Sequence, residues 1–205
     1  MTTLSTITRL DYENYLIQVY FGSDKDLLKA CIKRAYRDFN RTLHGFGEFE
    51  NANEIYTQAV DLLKNSFDNL KSISESEVTA EIFDSWHKIT CERLISLFIS
   101  HGCPFFVGQA QKWVNMTLKY IFTVGEQRIS GFGPVYPYCH VPFDNILLEQ
   151  LKNYGFPMLN CAWSRLKNYD EYLEKQKWIR EKFSILPMDV EFRLWAKQEI
   201  QEIEP

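Results

Sequence analysis

No apolar run in the chain approaches the ~18 residues that would span a membrane, and Met1 to Leu10 lacks the basic-then-apolar pattern of a secretory signal. These absences set the expectation of a cytoplasmic protein with no membrane partner. Cysteine is sparse: the five residues Cys31, Cys91, Cys103, Cys139 and Cys161 form no C-x-x-C pair. Their odd count and scattered spacing exclude a disulfide framework and fit reduced thiols in a core. His101-x-Cys103 and the adjacent Cys139-His140 offer four ligands of zinc type. Adjacent ligands rarely reach one ion comfortably, so no metal is expected. There is no strand-like alternation, no internal repeat and no low-complexity tract. Positive charge is also short, with 23 Lys and Arg against 27 Asp and Glu and a net charge of −4, so long-range steering onto nucleic acid is weak.

Aromatic residues are plentiful. Fifteen Phe, eleven Tyr and five Trp exceed what a core of 205 residues needs, so some are expected to line a cleft. The charge is unevenly spread. Residues 1–100 hold 11 Lys/Arg against 15 Asp/Glu, residues 101–180 hold 9 against 6, and residues 181–205 hold 3 against 6. The middle segment alone is basic and could track phosphates locally, although ordinary scatter of surface charge gives the same numbers.

The spacing of apolar residues predicts helices throughout and an all-α class. Leu10 to Phe21 puts Tyr12, Tyr15, Leu16 and Tyr20 near one face and ends at Gly22. Ser23-Asp24 introduces a helix carrying Leu27, Leu28, Cys31, Ile32, Ala35, Tyr36 and Phe39, closed by His44-Gly45-Phe46-Gly47. Further helices are expected from about Asn51 to Leu70, with Phe67 inward, from Thr79 to Ser100, through Lys112 to about Val124, from Pro142 to Tyr154, from Tyr169 to Phe183 and from Met188 to Ile203. Gly125 to Cys139, rich in Gly and Pro with Phe132, Tyr136 and Tyr138 interleaved, reads as a loop bordering a functional cleft. The chain is expected to be one helical domain over residues 1–205, with the polar stretch 72–77 as the place where two lobes would join.

Two segments carry the chemistry: Val107-Gly108-Gln109-Ala110-Gln111-Lys112-Trp113-Val114-Asn115 and His140-Val141-Pro142-Phe143-Asp144-Asn145. On a helix, Gly108, Lys112, Asn115 and Lys119 share one side, while Trp113, Met116, Thr117 and Tyr120 take the other. An amine buried among aromatic rings is how imine-forming lysines are activated, although a lone helical lysine is more often a surface group. Asp144, at a helix mouth, is stabilised as an anion by free N–H groups, whether it acts as a simple cap or as a partner for cationic charge. Together the two would supply a nucleophile and a cation stabiliser within roughly 4–6 Å of one another, near enough for each to influence the other's ionisation.

His140-Val141-Pro142-Phe143-Asp144 resembles the V-P-V-D stretch of helix-hairpin-helix DNA glycosylases, and the Gly108 to Lys112 segment resembles the one preceding it in bifunctional members. The 32-residue separation of Lys112 and Asp144 is closest to that of the archaeal 8-oxoguanine glycosylase branch. The resemblance covers roughly residues 104–155. It implies an all-α glycosylase-like fold of two helical lobes around a cleft. It also implies a monomer acting on duplex DNA with a damaged or modified base, with Lys112 attacking the sugar and Asp144 as its carboxylate partner. No iron–sulfur cysteine set accompanies the motifs, so no cofactor is implied. Trp86, Trp113, Phe132 and Trp163 are candidate stacking surfaces for the base or DNA, as is Phe105. Gln109, Asn115 and His140 are candidate edge readers, and Gly108 a backbone contact; each has packing as its ordinary role. His44 and His87 are read as structural. The competing expectation is a non-catalytic helical interaction module using the aromatic 131–138 loop.

Overall fold

The computed structural model describes residues 6–74 and 78–203. The polar stretch 72–77 is therefore seen only in part: Ser72 to Ser74 complete a helix, and residues 75–77 lie outside the described residues. Helix, counting the 3-10 turns, makes up 69% of the described residues. Among the described residues, the only strand-like pairing is a single antiparallel bridge between Phe183 and Glu202.

The described residues form eight α-helices in order: α1 (Arg9–Phe21), α2 (Leu27–Phe39), α3 (Ala52–Ser74), α4 (Ala80–Ser100), α5 (Val107–Val124), α6 (Asn145–Lys152), α7 (Tyr169–Lys182) and α8 (Pro187–Trp195). Side-chain caps mark where several begin. Thr8 and Asp11 close a reciprocal capping box on α1, and Asp26, Thr79 and Asn168 cap α2, α4 and α7. The α2 cap is thus Asp26, two residues after the expected Ser23-Asp24.

Helix α5 is the axis of the fold. Every residue from Val107 to Ile121 is buried, and the helix packs against α2, α4 and α7 and against the short turn Trp163–Arg165. Its aromatic side meets α2: Trp113 lies against Tyr36 and Phe39, and its indole N–H donates to the Ile32 carbonyl at 2.9 Å. A helix buried on all sides must satisfy its polar groups internally. The side carrying Gln111, Lys112, Asn115 and Lys119 does so, as described below.

The structure adds a direction to one expectation and corrects three. The residues expected near one face of α1 are exposed at Tyr12, Tyr15 and Leu16, while α1 docks through Glu13, Phe21 and Tyr20 and buries no residue fully. Pro142 does not open a helix: residues 140–144 have no regular secondary structure and α6 begins at Asn145. Gly125 to Cys139 is not wholly irregular, since Gly133–Tyr138 winds into a 3-10 helix. The last helix stops at Trp195 and not at Ile203; Lys197 then adopts a left-handed φ of 57°, and the chain returns along Phe183.

Candidate active site

The two motifs meet where α5 passes the mouth of α6. Asp144 is the N-cap of α6, and its Oδ1 accepts the Leu147 amide at 2.8 Å. Its other oxygen, Oδ2, accepts from Lys112 Nζ at 2.6 Å. That is a direct ion pair, tighter than the 4–6 Å approach expected from the motifs. Lys112 is almost wholly enclosed, with 3% of its side chain exposed, while Asp144 keeps 19%. Neither residue lines any of five surface clefts of about 340–550 Å³. The pair therefore meets solvent through the carboxylate.

Two turns further along α5, Lys119 forms a second pair with Glu191 of α8, Nζ to Oε1 at 2.6 Å. Glu191 is 1% exposed and its Oε2 has no hydrogen-bond partner. Burial pushes the Glu191 carboxyl above its ordinary range, while the charges of Lys119 and Lys112 oppose that rise. The Lys119 amine also lies 5.2 Å from the ring centres of Phe192 and Trp195, and Trp195 is 55% exposed. The result is an interior cluster of two amines and two carboxylates, with an exposed indole at its edge.

Behind the cluster runs a buried chain of hydrogen bonds. Asp84 binds Arg180 through both oxygens, at 3.0 and 2.7 Å, and accepts from His140 Nε2 at 2.8 Å. His140 Nδ1 meets the Tyr172 hydroxyl at 3.0 Å, and that oxygen accepts from Asn115 Nδ2 at 2.8 Å. Asn115 Oδ1 faces His87 Nε2 at 3.0 Å, and His87 Nδ1 faces the Tyr169 hydroxyl at 2.7 Å. One assignment of donors fits these links: Tyr169 donates to His87 (2.7 Å) in preference to the more distant Asp84 carbonyl (3.2 Å), His87 donates to Asn115, Asn115 to Tyr172, Tyr172 to His140 and His140 to Asp84. It requires both histidines to be neutral with the proton on Nε2. Burial favours that state: it lowers His140 from its usual 6.5 to about 4, against the opposing hydrogen bond to Asp84, and it lowers His87 well below its usual value, helped by nearby His140. Burial alone would raise Asp84, but the hydrogen bonds from His140 and Arg180 outweigh it and hold the carboxyl well below its ordinary range.

The other site expectations find these places. Gly108 lies in the first turn of α5, where a Cβ would stand 1.7 Å from the Trp163 carbonyl oxygen; only glycine lets that backbone pass. Gln109 closes the end of α5, accepting from the Phe106 amide and donating to Thr42. Trp113, Phe105 and Phe132 lie in the core at 2% exposure or less, with no open ring face. Trp86 donates to the Ser66 carbonyl and lines a groove of about 410 Å³ between α3 and α4. Trp163 is buried against α5, and Asn115 and His140 belong to the hydrogen-bonded chain. Cys139 and His140 turn to different partners, the thiol to the Val135 carbonyl and the ring to Asp84. The 3-10 segment of the 125–139 loop packs on α3, α4 and α8, with Tyr136 donating to Asp189. Among the described residues, no hydrogen bond or ring contact joins that loop to Lys112 or Asp144.

Sequence reasoning brought Lys112 and Asp144 together but missed Glu191, Gln111, Tyr172, Asp84 and Arg180. Lys119 carried a signal, its seven-residue spacing from Lys112 on one helix side. Its partner Glu191, 72 residues away, carried none. No family model, no curated protein and no solved structure matches this chain.

Proposed function

We propose that the protein is a DNA glycosylase with lyase activity, which removes a damaged or modified base through an imine on Lys112. The observation that carries this reading is the enclosed amine of Lys112 at 2.6 Å from an Asp144 carboxylate fixed at the N-terminus of α6. A buried amine paired with a carboxylate open on one side is suited to attack on an electrophile arriving past that carboxylate. Asp144 takes the proton from the ammonium, and the freed lone pair attacks C1′ of the deoxyribose. The electrons of the N-glycosidic bond leave with the base, which is protonated as it departs. Asp144 passes that proton to the departing base, and the carboxylate so restored stabilises the positive charge that grows on the sugar as the bond breaks. Ring opening gives the imine; loss of a C2′ proton then expels the 3′ phosphate and nicks the strand.

A flipped base on this path would meet the exposed Trp195 face. The basic balance of residues 101–180 supplies attraction for the backbone. The test is borohydride trapping on duplexes that each carry one lesion or modified base. The expected result is a covalent adduct with at least one duplex, absent in Lys112→Gln although that variant still binds DNA. An adduct that persists in Lys112→Gln would overturn the assignment of the nucleophile.

The second reading, a helical interaction module, is favoured by the exposed stripe of Tyr12, Tyr15, Leu16 and Val19 on α1. It needs no activated lysine and predicts no adduct with any duplex.

A further inference from the structure

The segment that carries Asp144 has no regular secondary structure and is extended at Asp144, and among the described residues no strand lies beside it. Three buried side-chain amides take the place of one. Gln176 of α7 accepts the Val141 N–H at 3.0 Å and donates to the Val141 carbonyl at 2.9 Å. Gln111 of α5 accepts the Phe143 N–H and donates to the Phe143 carbonyl, both at 3.2 Å. Asn115, one turn further along, donates to Gln111 Oε1 at 3.1 Å and is itself held by Tyr172 and His87. Gln111 and Asn115 are fully enclosed and Gln176 is 1% exposed, so water does not compete for these bonds. Gln111 and Lys112 are neighbours on α5, just as Phe143 and Asp144 are neighbours on that segment. Two adjacent bridges therefore join the same two elements, one through amides and one through charges.

We propose that Gln111 is a positioning residue that sets the Asp144 carboxylate on the Lys112 amine by holding the backbone of Phe143, with Asn115 and Tyr172 fixing Gln111 from behind. The idea rests on the reading that Lys112 and Asp144 carry the chemistry, but the geometry it asserts can be tested without that reading. Gln111→Met keeps the volume and removes both bonds to Phe143. Tyr172→Phe keeps the ring and removes the hydroxyl that Asn115 leans on, and it serves as the second variant if Gln111→Met does not fold.

The experiment compares the wild type, Gln111→Met, Asp144→Asn and the double variant in three measurements. These are single-turnover borohydride trapping on a lesion duplex, affinity for an undamaged duplex, and the rate at which formaldehyde with borohydride methylates Lys112 in the absence of DNA, read by peptide mass spectrometry. Displacing a catalytic group by an ångström can slow a reaction by about 100-fold, so trapping by Gln111→Met should slow by roughly 10- to 100-fold, with duplex affinity changed less than about twofold. Because Gln111 acts through Asp144, the double variant should be no slower than Asp144→Asn alone. Methylation of Lys112 should quicken severalfold in Gln111→Met and less in Tyr172→Phe. If Gln111→Met slows the Asp144→Asn protein by the same factor as the wild type, or leaves Lys112 methylation unchanged, the positioning role is overturned. If the wild type forms no adduct on any duplex while Gln111→Met still quickens methylation, positioning stands and the glycosylase reading falls.

Discussion

Helix α5 carries two buried lysine–carboxylate pairs of equal length, and they are built differently. In the Lys112–Asp144 pair, each carboxylate oxygen has a donor, one from the amine and one from the Leu147 amide, and the carboxylate sits on a helix N-terminus with part of its surface open. In the Lys119–Glu191 pair, one oxygen has no donor, no cap supports it and the carboxylate is sealed. The first holds a negative charge where an external group can meet it. The second strains to keep its charge, which is why burial raises Glu191 while nearby lysines resist. Two pairs of one length thus differ in what they can do: one is suited to chemistry, the other to structure.

The largest expected effect breaks the first pair. Lys112→Gln should remove trapped adduct entirely, and Asp144→Asn should slow base release by about 100- to 1000-fold, the scale of losing one preorganised electrostatic partner. The second pair should fail in stability instead. Lys119→Met leaves a sealed carboxylate without its counter-charge, which typically costs about 3–5 kcal/mol. Urea unfolding should show that loss, and adding Glu191→Leu should recover most of it. A loss below about 1 kcal/mol in Lys119→Met would mean that the pair behaves like an exposed one.

The hydrogen-bonded chain behind both pairs gives a dependence on pH. His140 binds a proton near 6.5 when unfolded but only near 4 when folded. Between those values the unfolded chain holds the extra proton, so stability falls as pH drops from 6.5 to 4 and is fully present above 6.5. The integrated effect is up to about 3 kcal/mol, and His87, lowered in the same direction, adds to it. Asp84, also lowered, extends the loss below its usual 3.8. Urea midpoints taken across this range should show the slope, and His140→Gln should flatten its upper part. An unchanged slope in that variant would place its origin elsewhere.

How much of this was legible in the sequence depended on distance along the chain. Helical spacing located α2 to α5 because local periodicity determines them. It could not tell which way α1 faces: spacing groups Tyr12, Tyr15 and Leu16 on one face, and among the described residues nothing covers that face. It overran α8 because nothing between Trp195 and Ile203 breaks the pattern as glycine or proline would. Lys112 and Asp144 were readable because each sits in a short motif. Gln111 and Asn115 were visible residues with invisible duties, since their partners come from α4, α7 and the 141–143 segment. Expecting Trp113 and Phe132 on a cleft wall gave too little weight to a central helix that needs large side chains on every side.

The smallest expected effect separates the two duties of Asp144, which Glu191 does not share. Asp144 caps α6 through Oδ1 and holds Lys112 through Oδ2. Asparagine caps helices about as well as aspartate, whereas alanine cannot cap, at a typical cost of about 1 kcal/mol. Both substitutions remove the negative charge, so both leave the Lys112 amine without its partner and should slow base release to a similar extent. They should differ only in stability, with Asp144→Ala less stable than Asp144→Asn by about 1 kcal/mol, since α6 alone loses its cap. Thermal melts and single-turnover rates on the same two proteins make the comparison. Equal melting temperatures would show that the Leu147 bond adds nothing to the helix. A much slower rate for Asp144→Ala than for Asp144→Asn would show that the cap, and not the charge alone, serves the chemistry, because a frayed α6 would carry residue 144 out of reach of Lys112.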